Sequence, residues 1–163
     1  MKVYHGSTQI VEHPLVNVGR PNLDFGRGFY VTDIHIQAVS WVNRPLNQGL
    51  EQWVNVYEFD YKEMLKQGYK CLQFKNYDFQ WLEFVVGNRR GEKHWKEYDL
   101  IEGGIANDRV FNTIELYAAG LTPREEALEK LRYEKPNNQL CLLNQEIVDK
   151  YLHFIGAENV KRM

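Results

Sequence analysis

The stretch "DFGRGFYVT" at residues 24–32 decides how the rest of the chain is read. Two glycines bracket Arg27, and Phe29, Tyr30 and Val31 then supply the aromatic and β-branched residues that suit a strand. Gly26 and Gly28 can take positive φ, which lets a loop swing sharply into that strand. Glycines at these places also let a backbone pass close to a ligand while Tyr30 presents its ring. Both readings are open on these residues alone.

Outward from this point the periodicities alternate between strand and helix. Residues 2–7, "KVYHGS", read as a short strand that carries His5 to its C-terminal end and runs into Gly6 and Ser7. After the Tyr30 strand, Thr32 or Asp33 can cap a helix over residues 34–44 that stops before Pro45 and carries Trp41. "EQWVNVYEFD" alternates as a strand, with Trp53, Asn55, Tyr57 and Phe59 on one side and Val54 and Val56 on the other. A short helix follows at "YKEMLKQ". In "YDFQWLEFVVGNRR", Phe79, Leu82, Val85 and Val86 recur at helical spacing, and Gly87 is the expected stop.

"YDLIEGGIAND" reads as a strand that runs into glycines. "RVFNTIELYAAG" and "TPREEALEKLRY" are two helices, the second with Thr122 as its cap and Pro123 in its first turn. "QLCLL" is a strand, "NQEIVDKYL" a short helix or turn, and "HFIGAENVKRM" a final strand. Strands and helices mix without steady βα alternation, which favours an α+β fold. The 163 residues suit a single domain over residues 1–163.

Composition excludes more than it identifies. With 44% apolar and 26% charged residues the chain resembles an ordinary globular domain. No apolar run approaches the ~20 residues of a membrane span. The opening "MKVYHGST" lacks the apolar core of a secretion signal, so a cytoplasmic location, or delivery into a target cell's cytoplasm, is expected. A net charge of −2 supplies no general attraction to nucleic acid, although a local basic patch could still do so. Cys71 and Cys141 lack metal-ligand spacing and read as reduced core residues, with no metal expected. The 13% aromatic content fits either a ring-lined groove or a large aromatic core.

His5 can offer a ring nitrogen to a hydroxyl while Gly6 offers backbone groups. Trp41 follows Tyr30 by eleven residues, so a short turn could bring the two rings together around a flat heteroaromatic ligand. "VYHGS", then "FGRGFYVT" with "QAVSW", then "NNQLCLLNQEIVDKYLHFI" resemble the three-part motif of the ADP-ribosyltransferase superfamily. The resemblance is to the branch of diphtheria toxin and the poly(ADP-ribose) polymerases. It implies two packed antiparallel sheets with flanking helices around an NAD cleft. The middle run, "WLEFVVGNRR … YDLIEGGIANDRVFNTIELYAAG", is similar to a bacterial family known only as a domain of unknown function, which implies a bacterial or phage origin.

The resemblance also implies roles. His5, Tyr30 and Gln139 would be the catalytic residues. His5, Gly6, Ser7, Gly28, Phe29, Tyr30 and Trp41 would hold NAD as co-substrate, with Tyr30 and Trp41 on either side of nicotinamide, and Arg27 or Arg20 would meet the pyrophosphate. Gln139 stands where the polymerases carry glutamate, so single transfer is expected rather than chain elongation, with Glu146 as the alternative carboxylate. Asn88, Arg89, Arg90, Asp99 and Asp108 are further polar groups that could face the cleft or the acceptor. The expected activity is mono-ADP-ribosylation of a protein or nucleic acid by a toxin or effector, with a cognate antitoxin as partner and no membrane role. The rival readings are an inactive NAD- or ADP-ribose-binding module and an NAD glycohydrolase.

Overall fold

The computed structural model describes residues 1–134 and 137–162. In chain order they form β1 (Lys2–Ser7), β2 (Phe29–Val31), α1 (His35–Val42), β3 (Trp53–Phe59), α2 (Tyr61–Leu65) and β4 (Cys71–Gln73). Then come α3 (Phe79–Arg89), β5 (Leu100–Gly103), α4 (Asp108–Ala118), α5 (Arg124–Arg132), β6 (Gln139–Leu142), α6 (Gln145–Tyr151) and β7 (Leu152–Asn159). The fold is mixed α+β with two sheets, ordered β1-β3-β7 and β2-β6-β5-β4. A bridge between Tyr4 and Thr32 ties one sheet to the other, with Tyr4 N donating to Thr32 O at 2.8 Å.

Strand alternation sorts the side chains into layers. Val3, Tyr57 and Phe59 from the first sheet meet Phe29, Val31, Leu100, Leu140 and Leu142 from the second, so the sheets bury one shared core between them. The outer face of the first sheet offers Val54 and Val56 to Ala38 of α1. On the outer face of the second, Ile101 and Cys141 pack with Trp81, Leu82, Val85 and Val86 of α3 and with Ile114 of α4 and Leu131 of α5. Both faces of β3 are thus covered, with helix α1 on one side and the second sheet on the other. No helix among the described residues is long and apolar enough to cross a membrane.

Several local expectations change. The sheets are not wholly antiparallel: β4 pairs with β5 in parallel, Leu72 opposite Ile101. The helix α3 lies between them, the kind of crossover a parallel pair needs. Residues 34–44 give a shorter helix than expected, His35–Val42, and no side chain caps it. Thr32 Oγ1 instead accepts from Ile34 N at 3.1 Å and donates to Asn138 O at 2.7 Å, so it joins β2 to the start of β6. Helix α3 continues through Gly87 to Arg89, and Asp78 caps its start by accepting from Trp81 N at 2.9 Å. Pro123, not Thr122, occupies the cap of α5. Cys141 is buried as expected but Cys71 is exposed, because β4 is the edge strand of its sheet.

The glycines of the opening stretch are explained by packing. Gly26 has φ of +87°, and a Cβ there would run into the Trp95 indole, so the turn needs glycine on both counts. A Cβ at Gly28 would strike Cys141 Sγ and the Leu142 carbonyl, where β2 lies against β6. At Gly6 the obstacle is the Ala38 carbonyl of α1. The close approach of β1 to α1 that Gly6 permits sets the height of α1, and hence of Trp41 one turn further on.

Candidate functional site

Strand β2 reaches the outer face of its sheet through Tyr30, opposite Cys141 of β6, while Phe29 and Val31 point into the inter-sheet core. Gln139, two residues from Cys141, stands at the head of β6 opposite Gly103. These residues line a cleft of about 460 Å³ whose other walls come from Arg20, Leu23 and Asp24, from Trp41 and Arg44, from Arg89, and from Ile105, Ala106 and Phe111. That volume lies within the roughly 300–1,000 Å³ common for small-molecule sites. Three aromatic rings, three guanidiniums, a carboxylate and an amide converge on it.

Tyr30 and Trp41, paired in the sequence reading by their spacing, do line the same cleft. The Tyr30 hydroxyl is committed elsewhere, since it donates to Gly26 O at 2.6 Å and accepts from Phe25 N at 3.2 Å. Burial pushes its phenol well above the ordinary range, so it stays a neutral donor. The ring is therefore held by its own loop. What Tyr30 can offer a ligand is an aromatic face, suited to stacking rather than proton transfer.

Gln139 is only 5% exposed and stands at the cleft wall. Its amide lines the cleft, where it is open to hydrogen-bond a ligand. Arg20 and Arg44 are exposed at the cleft, and neither makes an ion pair among the described residues. Arg89 is engaged: its Nε and Nη2 contact Asp24 Oδ1 at 2.7 and 2.6 Å, Nη1 reaches Glu115 at 3.3 Å, and the guanidinium lies 4.6 Å over Phe111. Asn88 supports the same corner, donating to Asp24 O at 2.9 Å and accepting from Trp95 N at 3.3 Å.

The remaining predicted residues fall outside the cleft. His5 shares the inward side of β1 with Val3, so its ring packs on Phe29 with centroids 4.4 Å apart, on the far side of β2 from the Tyr30 ring. Its Nδ1 donates to the Tyr30 carbonyl at 2.7 Å, which leaves Nε2 as the acceptor nitrogen of a neutral ring. Phe29 is core, and Gly6 and Gly28 serve close packing, as above. Ser7 Oγ accepts from Gln9 N at 3.2 Å within its own loop. Arg27 does not line the cleft, and its Nε is buried without a partner among the described residues. Glu146 is an exposed residue of α6, bonded to the Tyr69 hydroxyl and Lys150.

Of the further polar candidates, Arg89 alone among the described side chains lines the cleft. Arg90 donates to Ala118 O at 2.7 Å, and Asp99 accepts from Lys70 N at 2.7 Å. The side chain of Asp108 lies outside the described residues. Sequence reasoning missed Asp24, Arg44 and Phe111 as lining residues, although Asp24 begins the glycine-rich stretch that leads into β2. It also missed Asn55, whose Oδ1 accepts from Val11 N at 2.8 Å and whose Nδ2 donates to Gln9 O at 3.0 Å, fixing the loop after β1. The signal for Asn55 was present: an amide in the middle of an apolar strand.

The environment of His5 sets a pH dependence. Burial holds its imidazole below the ordinary 6.5, and the bond to the Tyr30 carbonyl opposes this only in part. The folded state thus favours the neutral ring. Its contribution to stability is complete above the unfolded value and is lost as pH falls through the lowered folded value. The stability gap between wild type and His5→Asn, read from chemical denaturation across pH 5 to 8, is therefore expected to narrow as pH drops below about 6.5. A gap that stays constant over that range would contradict this account of His5.

No curated protein and no solved structure matches the chain. Over residues 1–154 it matches the model of the family described as Protein of unknown function (DUF3990), and the chain belongs to that family.

Proposed function

We propose that this chain is a mono-ADP-ribosyltransferase, with an ADP-ribosyltransferase-like fold, that binds NAD in the cleft lined by Tyr30, Trp41 and Gln139. The observation that carries the reading is the meeting of these three residues, separated by up to 109 positions in sequence, around one cavity with exposed guanidiniums at Arg20 and Arg44. Aromatic faces suit nicotinamide, cations suit the pyrophosphate, and the Gln139 amide suits a ribose hydroxyl. Two sheets sharing one core agree with the architecture that the resemblance implies.

In this reading the glycosidic bond between C1′ of the ribose and the nicotinamide nitrogen breaks heterolytically. Its electron pair neutralises the departing pyridinium, and C1′ gains oxocarbenium character. The nucleophile of a protein or nucleic-acid acceptor then bonds to C1′ and gives up its proton. Tyr30 and Trp41 hold the leaving group, Gln139 orients the ribose, and Arg20 and Arg44 anchor the phosphates. Catalysis rests on contacts that strengthen as charge moves. A toxin or effector held in check by an antitoxin fits such an activity.

Gln139 also supports the second reading, a module that binds NAD or ADP-ribose without transfer, because a neutral amide supplies no negative charge to an oxocarbenium. Binding tests what both readings share. Calorimetric titration is expected to detect NAD binding by wild type and a loss of roughly tenfold or more in Trp41→Ala, the scale of about 1.5 kcal/mol for a stacked pair. At 100 times its dissociation constant NAD should add about 2.7 kcal/mol of stability. Absence of binding and of thermal shift in wild type would overturn both.

A further inference from the structure

The proposed reaction releases a proton from the acceptor, and Gln139 cannot take it. Among the described residues lining the cleft, Asp24 is the one carboxylate. Its side chain is only 15% exposed, and its backbone and carboxylate are both held in place. Asn88 Nδ2 donates to its carbonyl at 2.9 Å. Tyr30 fixes the next two residues, taking a hydrogen bond from Phe25 N and giving one to Gly26 O. Arg89 places both of its contacting nitrogens on Oδ1, at 2.7 and 2.6 Å, while Oδ2 accepts no hydrogen bond among the described residues.

We infer that Asp24 is the proton acceptor for the incoming nucleophile, an assignment that rests on the transferase reading of the same cleft. As the acceptor heteroatom bonds to C1′, its proton passes to Asp24 Oδ2, the bond between C1′ and nicotinamide having given its electron pair to the ring nitrogen. The proton later returns to solvent, so no oxidant or further reactant is needed. A carboxylate is a weak base, and a weak base is enough. In a dissociative reaction the nucleophile becomes acidic only as the new bond forms. The Tyr30 clasp gives that ring a second task, since the residue that stacks on the leaving group also fixes the turn that carries the base.

The test uses Asp24→Asn and Asp24→Ala in the full chain, with NAD and the acceptor fraction that wild type modifies. Transfer by Asp24→Asn is expected to fall about 10²-fold, the lower end for removing a positioned base, with the NAD dissociation constant from calorimetry within about threefold of wild type. Sodium formate is expected to restore part of the activity of Asp24→Ala, because a free carboxylate can occupy the vacated site; a structural role predicts no such rescue. Transfer by Asp24→Asn within twofold of wild type, or a folded NAD-binding Asp24→Ala that formate does not rescue, would overturn the assignment and leave the transferase reading intact. A wild-type protein that releases no nicotinamide from NAD would overturn that reading, and this assignment with it.

Discussion

Replacing Trp81 with alanine is expected to lower the unfolding free energy by about 3–5 kcal/mol, the usual cost of emptying a large buried aromatic site. Trp81 is fully buried on α3, with its ring edge-on to Tyr77 at 4.6 Å between centroids. Its Nε1 donates to Gly104 O at 3.3 Å, and the Tyr77 hydroxyl donates to Ile105 O. These two bonds clamp the chain leaving β5, where Ile105 and Ala106 form one wall of the cleft. Truncation therefore removes apolar contact from the helix-side core and leaves a backbone carbonyl without its donor. Urea unfolding with an unchanged m-value would read the loss directly. A decrease below about 1 kcal/mol would mean that the α3 core closes over the gap, contrary to its close packing.

Gln139→Ala is expected to slow NAD cleavage by 10²–10³-fold, about 2.7–4 kcal/mol, the scale for removing one hydrogen bond that forms fully only in the transition state. NAD affinity should change little, because the rings and arginines that hold the ground state are untouched. The buried position on β6, opposite Gly103, makes the substitution a local one. Gln139→Glu is the sharper variant, since it restores a carboxylate at nearly constant shape. A retained or raised rate of NAD cleavage in Gln139→Glu would place this side chain at the ribose. Full activity in Gln139→Ala would remove Gln139 from the site and leave Asp24 and the lining arginines as its polar candidates.

The layers of the fold were legible where periodicity is strong. The alternation of β3 and the helical spacing of Leu82, Val85 and Val86 both survive in the core. The three-residue strand β4 was not, because so short a run has no alternation to read and its partner β5 lies about 29 residues away. The site was legible in a similar proportion. Tyr30, Trp41, Gln139 and Arg20 were chosen from sequence and line one cleft. His5 was placed among them on a shared motif, but strand parity turns its ring into the inter-sheet layer, where it contacts Phe29. Gly6 and Gly28 answer to close approaches that only the assembled elements create. Asp24 was passed over as a loop residue, because its importance comes from Asn88 and Arg89, more than sixty positions away.

The most direct test of the central claim is the fate of NAD labelled separately in its nicotinamide and adenylate halves, incubated with the protein and a bacterial lysate. The account expects free labelled nicotinamide and an equal amount of adenylate label bound to protein or nucleic acid, both lost in Gln139→Ala. Recovery of both labels in intact NAD, under conditions where calorimetry detects binding, would contradict it and leave a binding module in its place.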